Sequence, residues 1–184
     1  MLTDTERWNE KYIRTRGNGP SKPDPVLESL GSHFTGQGWA FDLACGRGAN
    51  TEFLAARGYQ ALGIDCSWEA LNQARGFYQD RTTHWLVADL DRFFFPEHFF
   101  AAVVIVRFLE RKLIRTIVNS LAPGGVLFHR TFNENHLKNA PAFNPRFTLA
   151  HGELLSLYRD LHIVDTNDGT NDGAPLSYIL AKRS

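Results

Sequence analysis

The sequence predicts an α/β fold with a mostly parallel sheet of seven strands and helices on both faces. Short apolar segments alternate with segments of helical periodicity between Trp39 and Thr131, which is typical of a parallel sheet covered by crossover helices. The last two apolar segments, Leu161–Thr166 and Leu176–Ala181, are joined by a loop rich in Gly, Asn and Asp. Strands linked this closely pair as a hairpin, so we expect the sheet to end antiparallel.

The N-terminal half begins with two predicted helices, Asp4–Arg14 and Asp24–Phe34, whose connector is rich in Gly and Pro. The apolar residues of the second helix fall at helical spacing. Strands and helices then alternate, and Gly58 and Ser67 supply a helix stop and a helix cap. The predicted strands are Trp39–Ala44, Tyr59–Ile64 and Trp85–Ala88, and the helices between them are Ala49–Arg57 and a helix from Ser67 to about Tyr78.

The C-terminal half opens with the fourth strand, Phe100–Val106, whose unbroken apolar sequence is typical of a strand buried on both faces. A helix over Glu110–Leu121 follows, with apolar residues at helical spacing. The remaining predictions are a turn at Pro123-Gly124-Gly125, a fifth strand over Val126–Thr131 and a helix over Gly152–Asp160.

Length and charge restrict the class of protein. The chain has 184 residues, with 20 basic and 20 acidic side chains, so we expect one domain and no general attraction to nucleic acid. Within it we expect an N-terminal helical segment over residues 1–23 and a main domain over residues 24–184. Two cysteines are too few for a disulfide framework, and the histidines lack metal-ligand spacing. The N-terminus lacks an apolar signal region and no segment is apolar enough to span a membrane, so we expect a cytoplasmic protein.

A glycine loop follows the first strand, where Asp42 precedes Gly46 and Gly48. Glycines there let the backbone approach a ligand closely. Asp65 ends the second strand about 20 residues later, where an acid accepts ribose hydroxyl hydrogens. A tight turn without a ligand is the alternative, but Asp89 follows the third strand, and three acids at successive strand ends favour a ligand site.

These features alone suit either a dinucleotide or S-adenosylmethionine, and three details favour the second. Thr51 occupies the position of the third glycine in the dinucleotide pattern. That glycine allows close packing under a pyrophosphate. Asp42 would repel a pyrophosphate but suits the ammonium and sulfonium of S-adenosylmethionine. Asp89 stands where an acid accepts hydrogen from an adenine amino group.

On these residues the chain resembles the class I S-adenosylmethionine-dependent methyltransferases, which have a three-layer Rossmann-like fold. The resemblance runs from about Trp8 to Lys182 and rests on four motifs, which are Asp42 to Gly48, Gly63-Ile64-Asp65, Ala88-Asp89-Leu90 and Leu121 to Gly125. The chain is most similar to the small tellurite-resistance-type enzymes, through Val106 to Arg111 and Phe147 to Leu155. It departs from the better-known of them in lacking a His-Arg pair between the last two strands.

The resemblance implies a cofactor site for S-adenosylmethionine and its product S-adenosylhomocysteine. Asp65 would hold the ribose, and Val106 and Arg107 would border the cofactor and open toward the acceptor. The N-terminal segment would close over the cofactor as a lid. The full set of expected cofactor-binding residues is Trp8, Tyr12, Arg16, Asp42, Ala44, Gly46, Gly48, Asp65, Cys66, Ser67, Asp89, Leu90, Val106 and Arg107.

Two residues are candidates for catalysis. Arg107 follows an apolar strand, where it either orients an anionic acceptor or the cofactor carboxylate, or pairs with Glu110 or Asp89. His129, in the fifth strand, is a candidate general base or a structural histidine. Trp8 and Tyr12, four residues apart, either face the sulfonium or pin their helix to the core.

The sequence therefore predicts a methyltransferase that acts on a small-molecule acceptor, such as a thiol, a metalloid oxyanion or a small acid. The alternatives are a nucleic-acid or protein methyltransferase, and a regulator that binds the cofactor without catalysis. The Lys and Arg residues are scattered, which disfavours a nucleic-acid partner. We expect no metal, no membrane association, and a monomer or weak homodimer.

Overall fold

The structure of the protein, a computed structural model, describes residues 3–17, 19–79 and 82–184. It contains a seven-stranded mixed sheet with helices, which confirms the predicted fold class. The chain divides into two compact units, residues 1–94 and 95–184. Among the described residues, no helix is both long enough and apolar enough to cross a membrane.

The first unit carries three parallel strands in the spatial order β3-β2-β1. Their inward-facing residues, such as Phe41 and Ile64, are fully buried, so the strands are held by apolar packing on the sheet as well as by their ladder. The strands are β1 (Trp39–Leu43), β2 (Gln60–Asp65) and β3 (Thr83–Val87), and the helices are α1 (Asp4–Arg14), α2 (Pro25–Ser29), α3 (Ala49–Ala55) and α4 (Trp68–Phe77).

The second unit carries four strands in the order β4-β5-β7-β6. β4 and β5 are parallel, whereas β7 is antiparallel to both β5 and β6, which confirms the antiparallel end of the sheet. β7 therefore lies inside the sheet, between β5 and β6, and β6 is an edge strand. The strands are β4 (Phe100–Val106), β5 (Leu121–Phe132), β6 (His162–Asn167) and β7 (Leu176–Lys182), and the helices are α5 (Ile114–Ser120), α6 (His136–Asn139) and α7 (Glu153–Leu157).

Some predicted boundaries were wrong. The helix predicted over Asp24–Phe34 stops at Ser29 and continues as a 3₁₀ turn at Gly31–His33. The turn predicted at Pro123 to Gly125 lies inside β5. There Gly124 adopts φ 74° and the ladder with β4 shifts register between Phe100 and Ala102, so the glycine produces an irregularity that the strand absorbs.

Candidate functional site

The loop between β1 and α3 has the backbone conformation that close ligand approach requires. Gly46 and Gly48 adopt φ values of 55° and 79°, in the left-handed region that glycine tolerates best. A Cβ atom on Gly46 would lie 2.5 Å from the hydroxyl oxygen of Tyr12, and one on Gly48 would collide with the ring of Trp85. Ala44 also has φ 54°, which costs energy in a residue with a Cβ. Strain and crowding therefore coincide at the predicted cofactor loop.

Asp65 fastens this loop to the end of β2. Its Oδ2 accepts a hydrogen bond from the Gly46 N–H at 2.9 Å, and its Oδ1 accepts one from the Ser67 N–H at 2.8 Å. The side chain is buried, and burial, the largest influence on it, raises its pKa. A carboxylate has about four lone-pair positions, so Asp65 retains acceptor capacity for ribose hydroxyls.

Asp42 is a buried carboxyl group with one unsatisfied oxygen. The Thr51 hydroxyl donates to its Oδ2 at 2.7 Å, whereas its Oδ1 has no hydrogen-bond partner in the described part of the chain. Burial is the main cause that raises the pKa of Asp42 to about 7. An unpaired buried acceptor is costly, so the site fits a ligand that brings a cationic donor, such as the ammonium group of S-adenosylmethionine.

The predicted adenine side lies just beyond the paired ends of β2 and β3. Asp65 pairs in register with Val87, and Asp89 follows two residues later. Asp89 is exposed and its Oδ1 accepts from the Asp91 N–H at 3.0 Å, while Leu90 is buried. Cys66 is partly exposed, and burial raises the pKa of its thiol to about 11, so the thiol is a neutral contact surface.

The N-terminal helix α1 reaches the glycine loop. The Trp8 and Tyr12 rings lie 6.1 Å apart, and Tyr12 is the residue beside Gly46. Arg16 was expected at the cofactor, but its guanidinium pairs with Glu69 at 3.0 Å. Arg47 of the glycine loop instead supplies a cation here, because it hydrogen bonds to Thr15 and its guanidinium carbon lies 5.8 Å from the Tyr12 ring centroid.

Arg107 and Val106 lie in the second unit, at the end of β4. Arg107 has φ 56° and its N–H donates to the Arg130 carbonyl oxygen at 2.8 Å. This strained backbone carries an exposed side chain. Among the described residues of the second unit, Glu110 pairs with Arg146 at 3.1 Å rather than with Arg107.

His129 lies on β5 with almost no exposed surface. Its Nδ1 lies 2.8 Å from the Tyr158 hydroxyl and its Nε2 lies 2.9 Å from the Phe108 carbonyl oxygen. Burial lowers its pKa to about 4. Both ring nitrogens have hydrogen-bond partners and the ring stays neutral at pH 7. This arrangement favours a structural role, so we do not propose His129 as a catalytic residue.

The structure thus brings Tyr12, Asp42, Gly46, Asp65 and Ser67 together within the first unit. The sequence did not identify Thr51 as the hydrogen-bond partner of Asp42, because Thr51 was considered only as the residue that replaces the third glycine of the dinucleotide pattern. It also missed Asn9 and Gln73, which carry no motif. Within the described residues, no three His, Cys, Asp or Glu side chains are grouped as metal ligands would be.

Comparison with known proteins agrees with this geometry. A family model described as a methyltransferase domain matches residues 40–125, which include the glycine loop, Asp65 and Asp89. No curated protein matches the chain.

Solved structures resemble the chain along most of its length. The PH0226 protein from Pyrococcus horikoshii is 15% identical, with 95% of this chain and 99% of that chain covered and a TM-score of 0.72. An S-adenosylmethionine-dependent methyltransferase from Mesorhizobium loti is 18% identical, with coverage of 86% and 98% and a TM-score of 0.68. The N-methyltransferase NodS from Bradyrhizobium japonicum, in complex with S-adenosylhomocysteine, is 18% identical, with coverage of 96% and 98% and a TM-score of 0.68.

At these identities the structures establish the fold, and the family model establishes what kind of domain residues 40–125 form. The predicted enzyme class and its cofactor both agree with that match. Residues 40–125 are thus similar to a methyltransferase domain, within a fold shared with S-adenosylmethionine-dependent methyltransferases.

Proposed function

We propose that the protein transfers the methyl group of S-adenosylmethionine to a small-molecule acceptor, which is a thiol, a metalloid oxyanion or a small acid. The observation that carries the proposal is Asp42, a buried carboxyl with an unpartnered oxygen behind a glycine loop that Asp65 holds. This combination suits a ligand with an ammonium group and a ribose. It does not suit a pyrophosphate, which Asp42 would repel.

In this proposal, different residues of the first unit bind different parts of the cofactor. Asp42 balances the ammonium group, Asp65 accepts from the ribose hydroxyls, and Asp89 accepts from the adenine amino group. Ala44, Gly46 and Gly48 line the methionine part, while Cys66, Ser67 and Leu90 border the nucleoside. The aromatic faces of Trp8 and Tyr12 stabilise a nearby sulfonium by about 0.5–2 kcal/mol each.

When bound, S-adenosylmethionine supplies a methyl carbon that its positive sulfur activates toward attack. The protein needs no nucleophile of its own for such a displacement, and alignment of the two reactants lowers much of the barrier. Cys45 is consistent with this view, because it is buried and its thiol pKa is well above the ordinary value, with burial as the main cause. It packs beneath the loop as a neutral side chain.

Arg107 is our candidate for orienting the acceptor, with Val106 beside it. A charged side chain that is exposed on a strained backbone and lacks an ion-pair partner in the described chain is typical of a binding position. Arg107→Ala should raise KM for an anionic acceptor about tenfold or more, the effect of losing one charge-assisted hydrogen bond. Unchanged KM and kcat would exclude this role.

Calorimetric titration with S-adenosylmethionine and S-adenosylhomocysteine tests the proposal. Asp65→Asn should weaken both on the order of 100-fold, because it loses charge-assisted bonds to the ribose. Asp160→Asn, at an exposed acid of the second unit, is the matched control. If the unaltered protein bound neither form, the proposal would be wrong.

Measurement of S-adenosylhomocysteine release then identifies the acceptor. The panel contains thiols, tellurite, selenite, small acids and amines, the last because NodS is an N-methyltransferase. The resemblance to tellurite-resistance-type enzymes stays a prediction that the tellurite arm tests. Turnover only on RNA or protein would support the alternative methyltransferase class, and binding without any turnover would support a regulator.

A further inference from the structure

A side chain of the N-terminal helix caps the helix that follows the ribose-binding acid. Asn9 of α1 uses one oxygen, Oδ1, to accept from the Ser67 hydroxyl at 2.7 Å and from the Glu69 N–H at 3.1 Å. The Ser67 hydroxyl in turn accepts from the Ala70 N–H at 3.1 Å. The first turn of α4 therefore has two capping side chains, one of which comes from a residue 58 positions away.

Ser67 connects this cap to Asp65. The Ser67 N–H donates to Asp65 Oδ1, and the other Asp65 oxygen accepts from the Gly46 N–H. Ser67 is fully buried and Asp65 nearly so, so their positions are interdependent. Asn9 is thus one residue removed from the carboxylate that we assign to the ribose, although it does not itself face the cofactor loop.

Polar contacts hold α1 in place. None of its side chains is fully buried, although Trp8 and Tyr12 are partly so, and polar contacts with α4 fix its position along that helix. The Gln73 amide donates to the Tyr12 carbonyl oxygen at 3.1 Å, and Arg16 pairs with Glu69. Exposed ion pairs contribute about 0–1 kcal/mol, which leaves the two hydrogen bonds to Asn9 and the one to the Tyr12 carbonyl as the polar contacts that fix the helix.

We propose that Asn9 is a positioning residue for the ribose site, so that docking of α1 on α4 and binding of the cofactor favour each other. The inference rests on the proposed function, since it takes Asp65 to bind the ribose. A docked α1 fixes Ser67, and Ser67 orients Asp65. By linkage, a ligand that needs Asp65 in this orientation must stabilise the docked helix by the same factor.

The test compares three variants by titration with S-adenosylhomocysteine and by hydrogen exchange of the amides of α1. Asn9→Ala removes the shared acceptor and should weaken binding about five- to tenfold, because the stability that the cap gives the docked helix is, by linkage, lost from ligand binding. Its α1 amides should exchange faster, and the ligand should protect them less. Asn9→Asp keeps the acceptor oxygen and should restore both measurements. Glu10→Ala, an exposed neighbour on the same helix, should change neither.

Steady-state kinetics provide a further readout. Asn9→Ala should raise KM for S-adenosylmethionine and leave kcat near its original value, because saturating cofactor restores the docked helix. Gln73→Met breaks a different bond between α1 and α4 and should act in the same direction. Gln73→Met also tests the docking of α1 if Asn9→Ala does not fold.

The outcomes separate the two proposals. If the unaltered protein binds no S-adenosylhomocysteine, the proposed function fails. If it binds, but Asn9→Ala binds equally well with unchanged α1 exchange, only the role of Asn9 is overturned. Weaker binding by Asn9→Ala without rescue by Asn9→Asp would also overturn it, because the acceptor oxygen would not be what matters.

Discussion

Asp42→Asn should make the protein more stable at pH 8 while weakening its affinity for the cofactor. Burial raises the pKa of Asp42 from 3.8 to about 7, a difference that corresponds to about 4 kcal/mol of destabilisation when the group is ionised. The Asn side chain removes this cost but places an amide where Oδ1 has no partner. Such an unsatisfied group costs about 1–3 kcal/mol, so we expect a net gain of about 1–3 kcal/mol at pH 8.

The gain should depend on pH in a defined direction. Between pH 4 and 7 the folded protein keeps a proton on Asp42 that the unfolded chain has lost, so the contribution of Asp42 to the free energy of unfolding falls as pH rises through this window. Asp42→Asn lacks this contribution. Its advantage should therefore be present at pH 8 and should be lost as pH falls toward 4, where the unfolded chain also begins to take up the proton.

Urea unfolding followed by tryptophan fluorescence at pH 4, 6 and 8 measures the effect. Glu10→Gln, which neutralises an exposed acid, is the control and should show no such trend. Titration with S-adenosylmethionine should show a loss of about 10–100-fold for Asp42→Asn, because the ammonium group loses its counter-charge. A stability difference that is independent of pH, or undiminished affinity, would refute the assignment of Asp42.

Three further predictions concern other contacts. Gly46→Ala forces a Cβ against the Tyr12 hydroxyl at a φ of 55° and should weaken binding of S-adenosylhomocysteine about tenfold. Adding Tyr12→Phe should recover part of the lost affinity, and no recovery would show that the contact with Tyr12 is unimportant. His129→Ala leaves the Tyr158 hydroxyl and the Phe108 carbonyl without a partner and should cost about 3 kcal/mol in urea unfolding. Because burial lowers the pKa of His129 to about 4, the contribution of His129 to stability falls from pH 6.5 down to 4, so the stability difference between the unaltered protein and the variant should shrink over this range. A large fall in kcat at saturating substrates would instead indicate a catalytic role for His129. Arg111→Ala removes hydrogen bonds to Glu153 and to the carbonyls of Arg146 and Thr148. It should speed proteolysis within residues 144–152 while lowering the free energy of unfolding by only about 1 kcal/mol. Arg159→Ala, at another exposed arginine, is the control, and equal cleavage of the two variants would contradict the role of Arg111.

Local sequence was sufficient wherever one physical signal dominated. β4 was predicted with its observed limits, Phe100–Val106, because a strand buried on both faces has an unbroken apolar sequence. Asp42, Gly46 and Asp65 were chosen as candidates because strand ends and glycines mark a ligand crevice without any knowledge of distant residues, and the structure places them at the ends of β1 and β2. Helix ends were less accurate, since the segment predicted as one helix from Glu110 begins with a 3₁₀ turn before α5.

Contacts between distant residues could not be predicted in this way. Asn9 and Ser67 are 58 residues apart, and neither periodicity nor composition indicates that they meet. The same holds for Tyr12 at Gly46 and for Arg16, whose pairing with Glu69 depends on how α1 lies across α4. The sequence predicted that the N-terminal segment matters for the cofactor, but the residues that connect it to the site are known only from the fold.

Asp65 has two functions in the site, and the distant contact from Asn9 allows them to be tested separately. The carboxylate both fastens the glycine loop, through Gly46, and serves in our proposal as the ribose acceptor. A variant of Asp65 therefore removes two functions at once, and weaker binding would not separate a disordered loop from a lost ribose contact. Asn9 acts on Asp65 only through Ser67 and leaves the bond to Gly46 intact. If Asn9→Ala weakens the cofactor while the exchange of the Gly46 amide stays slow, the orientation of Asp65 toward the ribose, rather than order in the loop, limits affinity.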